Sequence, residues 1–331
     1  MIGAESERLT LTYAGGRYDR TGALVEGEVT PEGIDLRYLK LRSSETFSRM
    51  LDSDEFDASE FSCANYFTLL SQDDPRFIAI PVFPSRSFRH SAIYINPSAG
   101  VRRPADLRGR RVGIPNYAMT TGVWVRGMLQ DDYGVGPDEI VWVEGGIEQP
   151  GRGHRLHVAL PPQIRVQQAR GNRPLVQLLE AGEIGALISP TVPTPFADGS
   201  GRVARLFPDF AKDERDYYRR TGIFPIMHTV VVRRDILDRH SWVAASLLRA
   251  FSEAKDRALG DLHDSDALAV SLAWLIHYSE QERQLAMPTD MWAYGLEPNR
   301  HVLETLRRYM VEQGLLAREL SVEEAFPVAT T

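Results

Sequence analysis

Short apolar runs bounded by Gly, Pro or charged clusters recur along this chain, and between them lie stretches whose apolar residues return every three to four positions. The first pattern predicts strands and the second helices. Strands are predicted over 9–14, stopping at Gly15-Gly16, and over 34–39, 77–83, 91–95, 111–115, 140–143, 185–189 and 224–232. The segment 56–62 is strand-like and ends in Ser62, an N-cap for a helix over 64–70. Further helices are predicted over 44–51, 120–131, 175–181, 244–259, 267–276 and 302–310. Residues 145–174, rich in Gly, Pro and Arg, are read as a long loop with one short helix.

Strands alternating with helices predict an α/β fold, two-lobed, with mostly doubly wound sheets and a helical C-terminal part. Pro97, Gly100 and Pro104 mark a crossover, and 224–232 is the return strand. Lobe 1 is therefore expected over 1–98 and 222–331, and lobe 2 over 99–221. A ligand belongs in the cleft where strand ends face each other.

Composition narrows the function. The 331 residues make about two domains' worth of chain at roughly 150 residues each. A hydrophobic share of 43% and a charged share of 25% are ordinary for a globular protein. The net charge of −7, with scattered basic residues, predicts no nucleic-acid partner. No run approaches the roughly 18 uncharged apolar residues of a membrane span, so no membrane association is expected. The opening lacks the basic start and apolar core of a secretory signal, and Cys63 alone permits no internal disulfide, so a cytoplasmic setting is expected. A homo-oligomer is left open.

Motifs for phosphate loops, dinucleotides, paired-cysteine zinc and Gly-x-Ser-x-Gly hydrolases are absent. Cys63 reads as a small buried thiol. The loop Arg86-Ser87-Phe88-Arg89-His90 sets two guanidiniums beside an imidazole, which suits a carboxylate, or equally a solvent-facing connection. Arg17-Tyr18-Asp19-Arg20 follows a strand, where α/β clefts recruit ligands; an exposed turn held by an Asp-Arg pair explains it equally. Glu60 suits an acceptor for a phenolic proton, an orienting partner for His90, or a helix cap. His228, a polar ring in an apolar strand, suits a satisfied core imidazole or a proton carrier between lobes. Tyr117, Thr120, Thr121 and Trp124 surround a strand-to-helix junction whose free amides can seat an anion, although N-capping and core packing account for the same letters. His154 and His157 lack metal-ligand spacing, and Trp242, Trp274 and Trp292 are expected to pack helices.

Combined, four stretches become specific: Gly16-Arg-Tyr-Asp-Arg-Thr21, the 80–91 segment Ile-Pro-Val-Phe-Pro-Ser-Arg-Ser-Phe-Arg-His-Ser, the 106–115 segment with Trp124-Val-Arg-Gly127, and Phe224-Pro-Ile-Met-His228. Over nearly its whole length the chain resembles the 4,5-dihydroxyphthalate decarboxylase family. The resemblance implies a type II periplasmic-binding-protein-like fold. It also implies a carboxy-lyase whose partner is a small aromatic dicarboxylate, an ortho-dicarboxylated catechol converted to protocatechuate without an organic cofactor. For that reaction, chemistry asks for an acid at the ring carbon, a phenol-side base and a carboxylate clamp. His228 or His90 is the expected donor and Glu60 or Asp19 the acceptor. Arg17, Arg86 and Arg89 are expected clamps, with Tyr18, Tyr117, Thr120, Thr121 and Trp124 lining the substrate. No metal site is expected, a divalent ion being the lesser route. The opposing class is a solute-binding protein that traps the same anion unchanged.

Overall fold

The computed structural model describes residues 8–151, 156, 158–287 and 289–330. His154 and His157 lie outside the described residues. The strands, in chain order, are β1 (Leu9–Gly15), β2 (Ile34–Lys40), β3 (Ala58–Ser62), β4 (Phe77–Arg86), β5 (Ile93–Ile95), β6 (Arg111–Ile114), β7 (Val141–Glu144), β8 (Arg165–Gln168), β9 (Ala186–Ile188), β10 (Ala204–Arg205) and β11 (Ile226–Arg233). They build two sheets, ordered β2-β1-β3-β11-β4 and β10-β5-β9-β6-β7-β8.

In the first sheet β1 runs parallel to β2 and β3, while β11 is antiparallel to β3 and β4. Strands β1 to β4 therefore all end along one margin, where β11 begins. One face of this sheet is firmly packed. The helix Trp242–Leu262 buries Val243, Leu247, Ala250, Phe251 and Ala254 against Ile78, Ile80, Val230 and Val232. That spacing is the apolar stripe of one helix face. β4 carries Pro81 and Pro84 without disrupting the sheet because it is an edge strand, where a missing amide leaves no partner unpaired.

The second lobe docks onto this margin through the helix Thr120–Tyr133. Its Trp124 indole donates to the Ile226 carbonyl (2.8 Å), and Thr120 Oγ1 accepts from the Ala64 amide (3.1 Å) at the start of the helix Cys63–Ser71. At Gly127 a Cβ would fall 2.2 Å from the Tyr309 ring, so only glycine lets the helix Arg300–Glu312 lie this close.

Four sequence expectations change. Ile93–Ile95 pairs with β9 and β10, so the first crossing lies within 87–92 and not at 98. The loop over 145–174 holds an edge strand, β8, where a short helix was expected; Arg165 to Gln168 alternate exposed and half-buried, which is strand periodicity. Residues 267–276 do not form one helix. The helix here is Leu275–Ala286, and 264–274 are exposed throughout, leaving an amphipathic face with nothing to pack on. Trp274, in this segment, is 69% exposed, and Trp242, at the start of the helix Trp242–Leu262, is exposed as well. The helix Phe210–Thr221 was not anticipated. Among the described residues, no helix is long and apolar enough to cross a membrane.

Candidate active site

The strand-end margin brings together residues far apart in sequence. Alternation along β3 points Glu60 away from its neighbours Ser59 and Phe61, and the β11 register sets His228 opposite Ser62. Register shifts on either side of His228 mark an irregularity in the β11–β4 pairing, the kind of feature that re-aims a side chain. Glu60 is fully buried, and its carboxylate is surrounded by donors. Oε1 accepts from His228 Nδ1 (2.5 Å) and from the Tyr18 hydroxyl (2.6 Å), while Oε2 accepts from the Gly16 amide (2.8 Å). Burial alone pushes the carboxyl up, but the His228 charge and the bonds from His228, Tyr18 and Gly16 outweigh it, and the net displacement is downward. Tyr18 is pushed the other way, by burial first and then by the adjacent carboxylate.

An ionised Glu60 can only accept, so His228 Nδ1 carries a proton and Nε2 is the ring nitrogen left for chemistry. Nε2 makes no hydrogen bond among the described residues, and the side chain is 19% exposed. Phe47, from the helix Ser43–Ser53, sets its ring edge-on to the imidazole at 4.9 Å. This is an imidazole with one face packed, one nitrogen fixed by a buried carboxylate and the other open.

Next to His228 in the chain, the Met227 sulfur accepts from Arg89 Nε (3.1 Å), and Thr121 Oγ1 approaches the same sulfur at 3.8 Å. Nη1 and Nη2 of Arg89 make no hydrogen bond or ion pair among the described residues. Burial lowers this guanidinium to about 10, with distant Glu214 pulling upward. At about 10 the group stays charged near neutral pH, and a buried guanidinium with its outer nitrogens unengaged suits a carboxylate.

Other expected site residues are used differently. Arg86 is buried, its Nη1 donating to the Phe224 carbonyl (3.3 Å) and its Nη2 to the Ala293 carbonyl (2.8 Å) and to Asn299 Oδ1. It is a tie for the C-terminal segment rather than a clamp. Arg86→Met is expected to lower stability by about 1–3 kcal/mol, seen as an earlier denaturant midpoint, with kcat of the folded enzyme within about twofold of wild type. A collapse of kcat at unchanged stability would return Arg86 to the chemistry.

His90 is packed between Phe207 and Tyr217 (5.2 and 5.4 Å), and burial, helped by Arg220, holds it down to about 4. It is a neutral core ring without contact to the Glu60 group. Tyr117 lies under the buried Arg126 guanidinium (3.8 Å), and Trp124 serves the lobe contact already described, so both are packing residues. Thr120 is likewise engaged, by Ser62 Oγ (3.0 Å). Cys63 is buried, its thiol pushed up to about 12. Arg17 stays exposed at the end of β1. Asp19 is exposed and paired with Arg20 (3.0 Å). Among the described residues no group of three His, Cys, Asp or Glu side chains gathers as a metal site.

Three contributors escaped the sequence reading: Phe47, Met227 and Arg20. Phe47 and Met227 carry no polar group that would single them out in the sequence. Arg20 belongs to the 17–20 group, for which the sequence offers a ligand-recruiting strand end and an exposed turn equally, and only the fold sets it against Tyr18 (4.3 Å) and Trp292 (4.4 Å).

No protein-family model matches the chain. It is 36% identical over 323 residues to the 4,5-dihydroxyphthalate decarboxylase of Comamonas testosteroni, spanning 98% of each chain. The 4,5-dihydroxyphthalate decarboxylase of Pseudomonas putida is 37% identical over 212 residues, 64% of this chain and 82% of that one. Among solved structures, the periplasmic aliphatic sulphonate binding protein SsuA of Escherichia coli superposes with a TM-score of 0.53 at 12% identity, over 96% of this chain and 97% of that one. The sulfonate-binding SsuA of Methylobacillus flagellatus gives 0.54 at 11% identity, over 97% and 92%. At such identities the likeness establishes the fold alone, two α/β lobes of the type II periplasmic-binding-protein-like kind.

Proposed function

The chain belongs to the 4,5-dihydroxyphthalate decarboxylase family, and we propose how its residues carry out the non-oxidative decarboxylation of a 4,5-dihydroxyphthalate-like aromatic dicarboxylate. His228 is the proton donor, Glu60 its buried counter-ion, and Arg89 with Thr121 the clamp for the carboxylate that is kept.

Expelling carbon dioxide directly from such a ring would leave an electron pair in the ring plane, where the π system cannot accept it. Protonating the carboxylate-bearing carbon first removes that obstacle. The His228 Nε2 proton passes to this carbon, while the para hydroxyl feeds electrons into the ring and releases its own proton to solvent at the mouth, where Asp19 stands. The carbon is then tetrahedral, and its carbon–carboxylate bond can align with the π system. That bond breaks, carbon dioxide leaves, its electron pair restores the aromatic ring, and the phenolate oxygen takes back a proton. One proton is consumed in all, and His228 recovers it from water. Glu60 holds the imidazolium that donates it, which is a general-acid arrangement.

Glu60 itself does not serve as the phenol-side base in this scheme. Its oxygens are already occupied by His228, Tyr18 and the Gly16 amide.

The observation that carries the reading is the His228–Glu60 pair at 2.5 Å on the strand-end margin of a two-lobed cleft. The test is incubation with 4,5-dihydroxyphthalate and related hydroxylated aromatic acids, measuring carbon dioxide and the hydroxybenzoate. Equimolar release supports decarboxylation by this site. Tight binding without turnover across the panel would favour a solute-binding protein.

The reaction as written uses no metal or organic cofactor. Activity is accordingly expected to survive exhaustive chelation and dialysis within about twofold, the size of an unremarkable handling loss against the at least 10²-fold expected from losing a catalytic group. Loss of activity on chelation, restored by a divalent ion, would overturn the cofactor-free scheme.

A further inference from the structure

We propose that Arg20 and Trp292 are positioning residues for this reaction, holding Tyr18 on Glu60 and thereby fixing the hydrogen bonding of the His228–Glu60 pair. The proposal rests on the reading of that pair as the acid group.

The Arg20 guanidinium lies between two rings, Tyr18 at 4.3 Å and Trp292 at 4.4 Å. Its edge is fixed as well, Nε donating to the Pro84 carbonyl (2.7 Å) and Nη1 to Asp19 Oδ1 (3.0 Å). Such a stack draws on both ring quadrupoles and orients whatever ring it covers. The ring it covers on one side donates to Glu60 (2.6 Å). Trp292 is itself anchored: its ring meets Phe224 edge-on at 5.2 Å, its amide donates to Asp290 Oδ1 (2.8 Å), and its indole reaches Glu282 (3.3 Å). Asp290 is in turn held by the buried Lys255 (2.9 Å).

What makes Trp292 decisive is the space around it. Arg20, Asp19 and Trp292 line a cavity of about 560 Å³ whose other walls include Leu259 and Leu275. With the indole gone, nothing on that side keeps the guanidinium stacked, and it can turn into the cavity and take up water. Tyr18 then loses the cation that orients its ring, and its bond to Glu60 weakens.

The measurable consequence is electrostatic. The titratable and charged groups facing Glu60 are His228 on β11, Tyr13 on β1, Tyr18 after it, Tyr38 on β2 and Tyr294 beyond Trp292, with Arg20 behind Tyr18. Of these, Tyr18 is the hydroxyl that donates to the carboxylate. Weakening that bond destabilises the ionised form, so the acid limb of the pH–rate profile moves to higher pH.

The experiment compares kcat, KM and their pH profiles in wild type, Trp292→Ala, Trp292→Phe, Arg20→Met and Tyr18→Phe, with thermal melts as a folding control. Trp292→Ala and Arg20→Met are expected to lose about tenfold in kcat with KM moved by less than about threefold. Both should shift the acid limb upward, as Tyr18→Phe does, and Trp292→Phe should recover most of the loss. Wild-type kcat and pH profile in folded Trp292→Ala and Arg20→Met, beside an impaired Tyr18→Phe, would overturn the positioning role and leave the site reading intact. An unimpaired Tyr18→Phe would overturn the positioning role and remove Tyr18 from the site reading too.

Discussion

In His228→Gln, decarboxylation of 4,5-dihydroxyphthalate is expected to fall by about 10²- to 10⁴-fold, while substrate affinity changes by no more than a few-fold, because the change removes an acid and leaves the clamp in place. Glutamine is the informative replacement. Its amide can still donate to Glu60 and fill most of the imidazole volume beside Phe47, so a loss of rate is not a loss of packing. What it lacks is a second nitrogen able to deliver a proton near neutral pH. A second readout separates this role from a merely structural one. When the reaction runs backward in deuterated water containing bicarbonate, the hydroxybenzoate takes up carbon dioxide at the ring carbon and then gives up that carbon's hydrogen, so wild type is expected to exchange this ring hydrogen and His228→Gln is expected not to. Near-wild-type turnover with unchanged binding would show that the proton comes from elsewhere. His90 would not be the next candidate, since its ring is enclosed by Phe207 and Tyr217.

Much of this was legible in the sequence, and the reasons it was legible also mark where reading stops. The strands over 9–14, 34–39 and 111–115 announce themselves because Gly, Pro or charge ends each apolar run. Glu60 and His228 were each visible as a polar residue in apolar surroundings, yet neither could be paired with the other, since 168 positions separate them. Only the return of β11 between β3 and β4 makes them neighbours. The cluster at 86–90 misled for a local reason. Spacing places two arginines and a histidine together, but strand parity and the crossing within 87–92 send Arg86 to the C-terminal segment, Arg89 to Met227 and His90 into an aromatic core. For Arg20 the sequence leaves a ligand-recruiting strand end and an exposed turn equally open, and neither shows its stacking role, which depends on Trp292, distant in the chain.

Glu60→Gln is expected to cost on the order of 10²- to 10⁴-fold in kcat with His228 still present, which makes it the sharper test of the pair. The Gly16 amide keeps the carbonyl oxygen on its side, so the NH₂ group takes the place of Oε1, where it faces the Tyr18 hydroxyl and His228 Nδ1 and makes that nitrogen an acceptor. The imidazole then carries its one proton on Nε2, and no carboxylate stands against Nδ1 to balance the positive charge of an imidazolium. Stability gives an independent reading. The Glu60 carboxyl is displaced below its ordinary range, so its ionised interactions contribute fully above about pH 4.3, the unfolded value, and are lost as pH falls through the lowered folded value. Glu60→Gln should therefore be less stable than wild type near neutral pH, with the gap in urea midpoint narrowing as the solution is acidified below that point. A gap that stayed constant with pH would mean that the buried carboxylate is not held ionised by His228, Tyr18 and Gly16. The general-acid reading of His228 would then lose its counter-ion.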